Sequence, residues 1–174
     1  RVVTVNRPYA EVMAGRWGIE LPLIVLNCSY RTTPPAGGLR RFHEALGLDL
    51  ATKIVCYQGG LLSDRGIEEG MEAILEVPGA VLVLLGYGPL RAALEERIAI
   101  APYAGKVFLV DAVPPAELLS WTASADVALM AIQPTSRNHL LTTPNKLWEA
   151  MAAGVPIVAS DLPGMAGVLR ETGA

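Results

Sequence analysis

Along this chain, short apolar runs rich in β-branched residues alternate with stretches of helical periodicity, the pattern of repeated strand–helix–strand units around a parallel sheet. Strands are expected at residues 2–5, 23–26, 53–58, 80–85, 106–109, 126–130 and 156–160, and helices at 10–16, 66–76, 89–99, 115–123, 144–153 and 165–171. Residues 30–50, with Thr32-Thr33-Pro34-Pro35 and Gly37-Gly38, read as an irregular linker. The expected fold class is therefore α/β, a parallel sheet flanked by helices.

Residues 143–161 are the most informative segment. Thr143 suits an N-cap and Pro144 the first helical position, where a missing N–H costs nothing. The free amides of that first turn, backed by the helix dipole, can hold a phosphate. Gly154 and Pro156 then stop the helix, and 155–159 continues as an apolar strand. Glu149 lies inside the helix, more than one turn from its start.

Composition narrows the picture modestly. With 52% hydrophobic and 18% charged residues, the 174-residue chain can bury a sizeable core. A net charge of −3 gives no reason to expect a nucleic-acid partner or a basic membrane-binding face. Apolar runs such as 80–85 are strand length, too short to span a bilayer. Cys28 and Cys56 sit in apolar strand-like surroundings and are expected as reduced core residues without metal-ligand spacing. Beginning at Arg1, the chain reads as an excerpt of something longer.

Several segments, taken together, resemble the donor-binding C-terminal half of GT-B glycosyltransferases of family 4, the group 1 type. Tyr57-Gln58-Gly59-Gly60-Leu61 with Arg65-Gly66 is similar to that family's strand and glycine turn. Residues 82–85 followed by Gly86-Tyr87-Gly88-Pro89 resemble its strand and G-x-G-P turn. Val107-Phe108-Leu109 with Val113, Pro115-Ala116-Glu117-Leu118, Ala125-Asp126-Val127 and Pro134 follow at the family's spacings. The resemblance covers roughly 50–172 and implies a Rossmann-like sheet forming the donor half of a GT-B fold. Residues 1–49 would end the N-terminal acceptor-binding domain and form the linker, and 50–174 would be the nucleotide-sugar-binding domain, cut at its C-terminal end.

The resemblance also implies roles. Glu149 would accept hydrogen bonds from both ribose hydroxyls, and Arg65 with the amides of Asn145 and Lys146 would stabilise the departing diphosphate. The family commonly carries Arg where this chain has Gly60 and Lys where it has Arg65, so one usual cation is missing and Arg65 is expected to carry most of the charge. Lys146 either adds its ammonium or is a first-turn surface lysine. The family's first Glu, separated from the second by seven intervening residues, is Leu141 here. A subset of relatives has an Asn-rich loop and "PNKLFE" instead, which Asn138 and 144–149 resemble, so Asn138 or His139 would line the sugar pocket. Gly59, Gly86, Gly88 and Val113 would border the donor. Gly86-Tyr87-Gly88 also suits a dinucleotide fold, but Arg91 stands where G-x-G-x-x-G needs its third glycine. Asp161 could reach the cleft or begin a turn. Trp121 and Trp148 read as packing residues.

These features point to a retaining glycosyltransferase that moves a sugar from a nucleotide diphosphate donor, with Arg65 and Glu149 as the principal residues. No cofactor or metal is expected. The expected partners are the nucleotide sugar and the absent acceptor-binding domain, with peripheral membrane contact through that absent half and a cytoplasmic location. A non-catalytic nucleotide-sugar-binding module would explain Gly60 and Leu141. Another Rossmann-type enzyme, such as an oxidoreductase, would leave 144–149 without a purpose.

Overall fold

The structure, a computed structural model, describes residues 1–28 and 38–173. The first elements are β1 (Val3–Thr4), α1 (Arg7–Trp17) and β2 (Leu23–Ile24), in which the two strands pair in parallel, Val3 opposite Leu23. After α2 (Arg41–Leu46), the chain alternates strictly through β3 (Lys53–Gln58), α3 (Ile67–Leu75), β4 (Ala80–Leu85), α4 (Arg91–Ile98), β5 (Val107–Val110), α5 (Pro115–Thr122) and β6 (Val127–Met130). It closes with α6 (Arg137–Leu141), α7 (Asn145–Ala153), β7 (Ile157–Ala159) and α8 (Pro163–Thr172).

Five strands form one parallel sheet in the order β5-β4-β3-β6-β7. The chain builds outward from β3 to β5, then returns to the other side of β3 for β6 and β7, so the sheet is doubly wound. β4 is buried at every position, as a central parallel strand with helices on both faces should be. Leu82 and Leu84 turn toward Ile67, Met71, Ile74 and Leu94 of α3 and α4. The alternate residues Val81, Val83 and Leu85 meet Phe42 on α2 and Trp121 on α5. Ala128 and Met130 of β6 pack under Leu147, Ala150 and Met165 of α7 and α8. The buried positions of α3, Ile67, Gly70, Met71 and Ile74, follow the three-and-four spacing of one helix face.

The expected α/β class and parallel sheet are present, and β3 and β4 have the expected bounds. Other ends move by a few residues. α2 lies within the stretch expected to be a linker; the part of that expectation at 29–37 falls outside the described residues. α6 was not expected at all, because five residues are too few to show a helical period. The cap of α7 also differs from expectation. Pro144 itself is the extended capping residue, which leaves Thr143 one position ahead of the cap, where its hydroxyl accepts from Asn6. Cys56 is buried in the sheet as expected, whereas Cys28 is exposed beyond the short β2.

Candidate functional site

Doubly wound sheets place ligands beyond the carboxyl ends of the strands, where the winding reverses. A pocket of about 490 Å³ lies there, lined by the ends of β3 and β4, the β5–α5 loop and the start of α7. Gly59, Gly60, Gly86, Gly88, Val113, Asn145, Lys146 and Glu149 all contribute to its wall. Arg65, Asn138, His139 and Pro144 do not line it.

The two glycines of the Gly86-Tyr87-Gly88 turn have a steric purpose. A Cβ on Gly86 would lie 1.9 Å from the Gly59 carbonyl oxygen, and one on Gly88 would lie 2.4 Å from that of Leu61. The turn thus presses against the loop after β3, a closeness that hydrogen bonds from Gly59 N–H to Leu85 O and Leu61 N–H to Tyr87 O hold at 2.9 and 2.8 Å. Arg91, at the third-glycine position, pairs instead with Asp111 at 2.7 Å.

Glu149 is fixed by a residue to which the sequence assigned no role. Gln58, buried at the end of β3, donates from its amide nitrogen to Glu149 Oε2 at 2.5 Å and accepts from Thr122 Oγ1 at 2.5 Å. The carboxylate acceptor sets which way the amide faces and turns its oxygen toward the Thr122 hydroxyl. Burial raises the Glu149 pKa, opposed by the Gln58 hydrogen bond and the Lys146 charge. A strand-end Gln before two glycines was the available signal, but its partners lie 64 and 91 residues away in sequence.

Lys146 is the cation of the pocket wall. Its Nζ lies 4.0 Å from the centre of the buried Tyr57 ring and would be 3.0 Å from a Cβ on Gly59. The Tyr57 hydroxyl donates to Gly60 O at 2.6 Å, so one side chain both pins the glycine loop and carries the ammonium on its face. Burial, then the charge of Arg65, pull the Lys146 pKa down to about 8, against the opposing influence of Cys56 and Glu149. Arg65, half-buried, is close enough to act on both Lys146 and Tyr57. Two cations therefore share one neighbourhood, and neither forms an ion pair within 4.0 Å among the described residues.

The other expected residues are engaged elsewhere. Asn138 meets the Tyr9 hydroxyl through its side-chain and backbone oxygens. His139 Nδ1 is 2.9 Å from Thr135 Oγ1 and 3.1 Å from Gln133 O. Asp161 pairs with Arg170 at 2.6 Å on the surface. Trp121 packs edge-on against Phe42, ring centres 5.2 Å apart, as a packing residue should. Among the described residues, no group of three or more His, Cys, Asp or Glu side chains could hold a metal ion, and no helix is long and apolar enough to cross a membrane.

A doubly wound parallel sheet with a glycine-walled, cationic pocket at its carboxyl edge is the Rossmann-like half of a GT-B fold. Residues 52–174 match the family model described as glycosyl transferases group 1, and the chain belongs to that family. A glycosyltransferase of Methanocaldococcus jannaschii, MJ1607, named as uncharacterized, is 30% identical over 135 residues, covering 75% of this chain and 33% of its own length. The amylovoran biosynthesis glycosyltransferase AmsK of Erwinia amylovora is 31% identical over 115 residues, 64% of this chain and 28% of its own. Anabaena HepE, solved in complex with UDP-glucose, superposes with a TM-score of 0.71 at 18% identity, over 96% of this chain and 46% of that one. The last likeness is one of fold. The chain spans about a third of the length of these curated relatives.

Proposed function

We propose that this chain is the donor-binding part of a retaining glycosyltransferase that takes its sugar from a nucleoside diphosphate sugar. The observation that carries this reading is the union in one pocket of an oriented carboxylate, Glu149, and a desolvated ammonium, Lys146, at the uncapped start of α7. Glu149 Oε2 is already held by Gln58, which leaves Oε1 and the remaining lone pairs to accept from a vicinal diol such as ribose. One helical turn earlier, the α7 amides, Lys146 and the nearby Arg65 suit a diphosphate. The apolar wall of Ala112, Val113 and Leu118 suits a base.

Transfer breaks the bond between the anomeric carbon and the β-phosphate oxygen, and the electron pair leaves with the nucleoside diphosphate. The acceptor oxygen forms the new bond on the same face, and its proton passes to the departing phosphate. Fixed positive charge stabilises that leaving group, which is electrostatic catalysis without a metal or a protein base. Residues 1–49 belong, in this reading, to the acceptor side and the linker. HepE is the precedent for a UDP-sugar on this fold, and UDP is accordingly the first ligand to test.

Calorimetry with UDP, GDP and their nucleosides tests the proposal. The expected result is weak binding of one diphosphate, in the micromolar to millimolar range that an open half-site supplies, with little affinity for free pyridine dinucleotides. Failure of every nucleoside diphosphate to bind would refute the reading.

A further inference from the structure

The segment that leads into α7 is held from outside the five-stranded sheet. Asn6 caps α1 by accepting the Tyr9 N–H at 2.9 Å, and the same side chain's Nδ2 donates to Leu141 O at 2.6 Å and Thr143 Oγ1 at 2.7 Å. Asn6 and Thr143 are both buried, so this bond is shielded from competing water. Two more ties run in parallel: Tyr9 to Asn138, and Asn27 Nδ2 to Asn145 Oδ1 at 2.8 Å. On its other side, residues 141–142 close on the start of α8, where a Cβ on Gly164 would lie 2.2 Å from Thr142 O. The connection from α6 to α7 is thus wedged between Asn6 and Gly164. Asn145 and Lys146, both on the pocket wall, follow within three residues of Thr143.

The geometry points to Asn6 as a positioning residue for the anion end of the pocket: through Leu141 and Thr143 it fixes where α7 begins, and so where Asn145, Lys146 and the first-turn amides face. The β1–α1–β2 unit is thereby coupled to the diphosphate rather than to the base. The inference rests on the donor-site reading above. It concerns a residue 139 positions before Asn145 that touches none of the pocket itself.

Asn6→Ser separates the two jobs of this side chain. Serine keeps the acceptor that caps α1 but is too short to reach Leu141 or Thr143, and Thr143→Val removes the other partner with little change of shape. UDP or GDP, whichever the wild-type chain binds, should bind about five- to tenfold more weakly to either variant, while the matching nucleoside is unaffected. The double variant should lose little more than each single one. In parallel, amide hydrogen exchange at 142–147 should quicken in both variants without ligand, with the exchange of β3 and β4 unchanged. Equal losses for nucleoside and diphosphate, or unchanged exchange at 142–147, would overturn the assignment. If the wild type bound no nucleotide, the donor-site reading would fail and the exchange measurement would still decide the role of Asn6.

Discussion

Lys146→Met should make the unliganded protein more stable while weakening its hold on a diphosphate. The fall of the Lys146 pKa from 10.5 to about 8 corresponds, at about 1.4 kcal/mol per pH unit, to a ceiling of about 3–4 kcal/mol for holding this ammonium in the folded state. Residual solvent contact reduces the effect, and about 1–2 kcal/mol is a fair expectation. Met matches the length, keeps the apolar stem on Tyr57 and adds no charge. For a chain of this size the gain corresponds to a Tm increase of about 2–8 °C. The sign also appears in the pH dependence. Folded Lys146 releases its proton near pH 8 while the unfolded chain keeps it toward 10.5, so the unfolded state binds more protons in between. Wild-type stability should therefore gain from this residue as pH rises from about 8 to 10.5, and the Met variant should lack that gain. Diphosphate affinity should run the other way and weaken as pH rises through 8. Thermal melts of both proteins at pH 7 and 9.5, paired with calorimetry, read both effects. A Met variant that is less stable at pH 7 would refute the burial penalty on this ammonium, and one that binds diphosphate as well as the wild type would remove Lys146 from the anion site.

Glu149→Gln should weaken a ribonucleotide by about 1.5–3 kcal/mol and a 2′-deoxynucleotide by less, measured by titration of a variant checked for folding; equal losses would detach Glu149 from the ribose. Arg65→Ala should reduce affinity for the diphosphate more than for the nucleoside, and comparison with Lys146→Ala shows which cation dominates; the sequence favours Arg65, whereas the pocket wall favours Lys146. Gly88→Ala should cost more than about 2 kcal/mol in denaturant titration, because its Cβ would meet backbone rather than a movable side chain; a stability within experimental error of the wild type would refute the close approach. Cys28 should react with a thiol reagent in the native protein and Cys56 only after unfolding, since Cys56 is buried and its pKa pushed up to about 12.

The centre of the sheet was legible in the sequence because β4 is a six-residue apolar run between Gly79 and Gly86 and β3 is a six-residue run that ends at Gly59. Helix α6 was hidden by its shortness, and α2 by its place in a stretch whose prolines and glycines suggested a linker. For the pocket, glycine turns and the α7 helix were visible as local motifs. Gln58 and Asn6 were not, because their importance lies in partners far along the chain, and a lone amide residue carries no period or spacing to mark it. Thr143 shows the opposite error, a sound local cap signal that falls one position early because Pro144 takes the extended capping conformation.

The order of the strands also governs when the pocket comes into being. As the chain emerges from the ribosome, β3, β4 and β5 pair with near neighbours in sequence, but the far side of β3 must wait for β6, whose Val127 lies opposite Val55. Lys146 and Glu149 follow later still. A nascent chain stalled before residue 127 would present the glycines of the wall and a central strand unpaired on one side, without Lys146 or Glu149 to grip a nucleotide. Until β6 is made, that open edge is the place where a chaperone would act or a second nascent chain would add on.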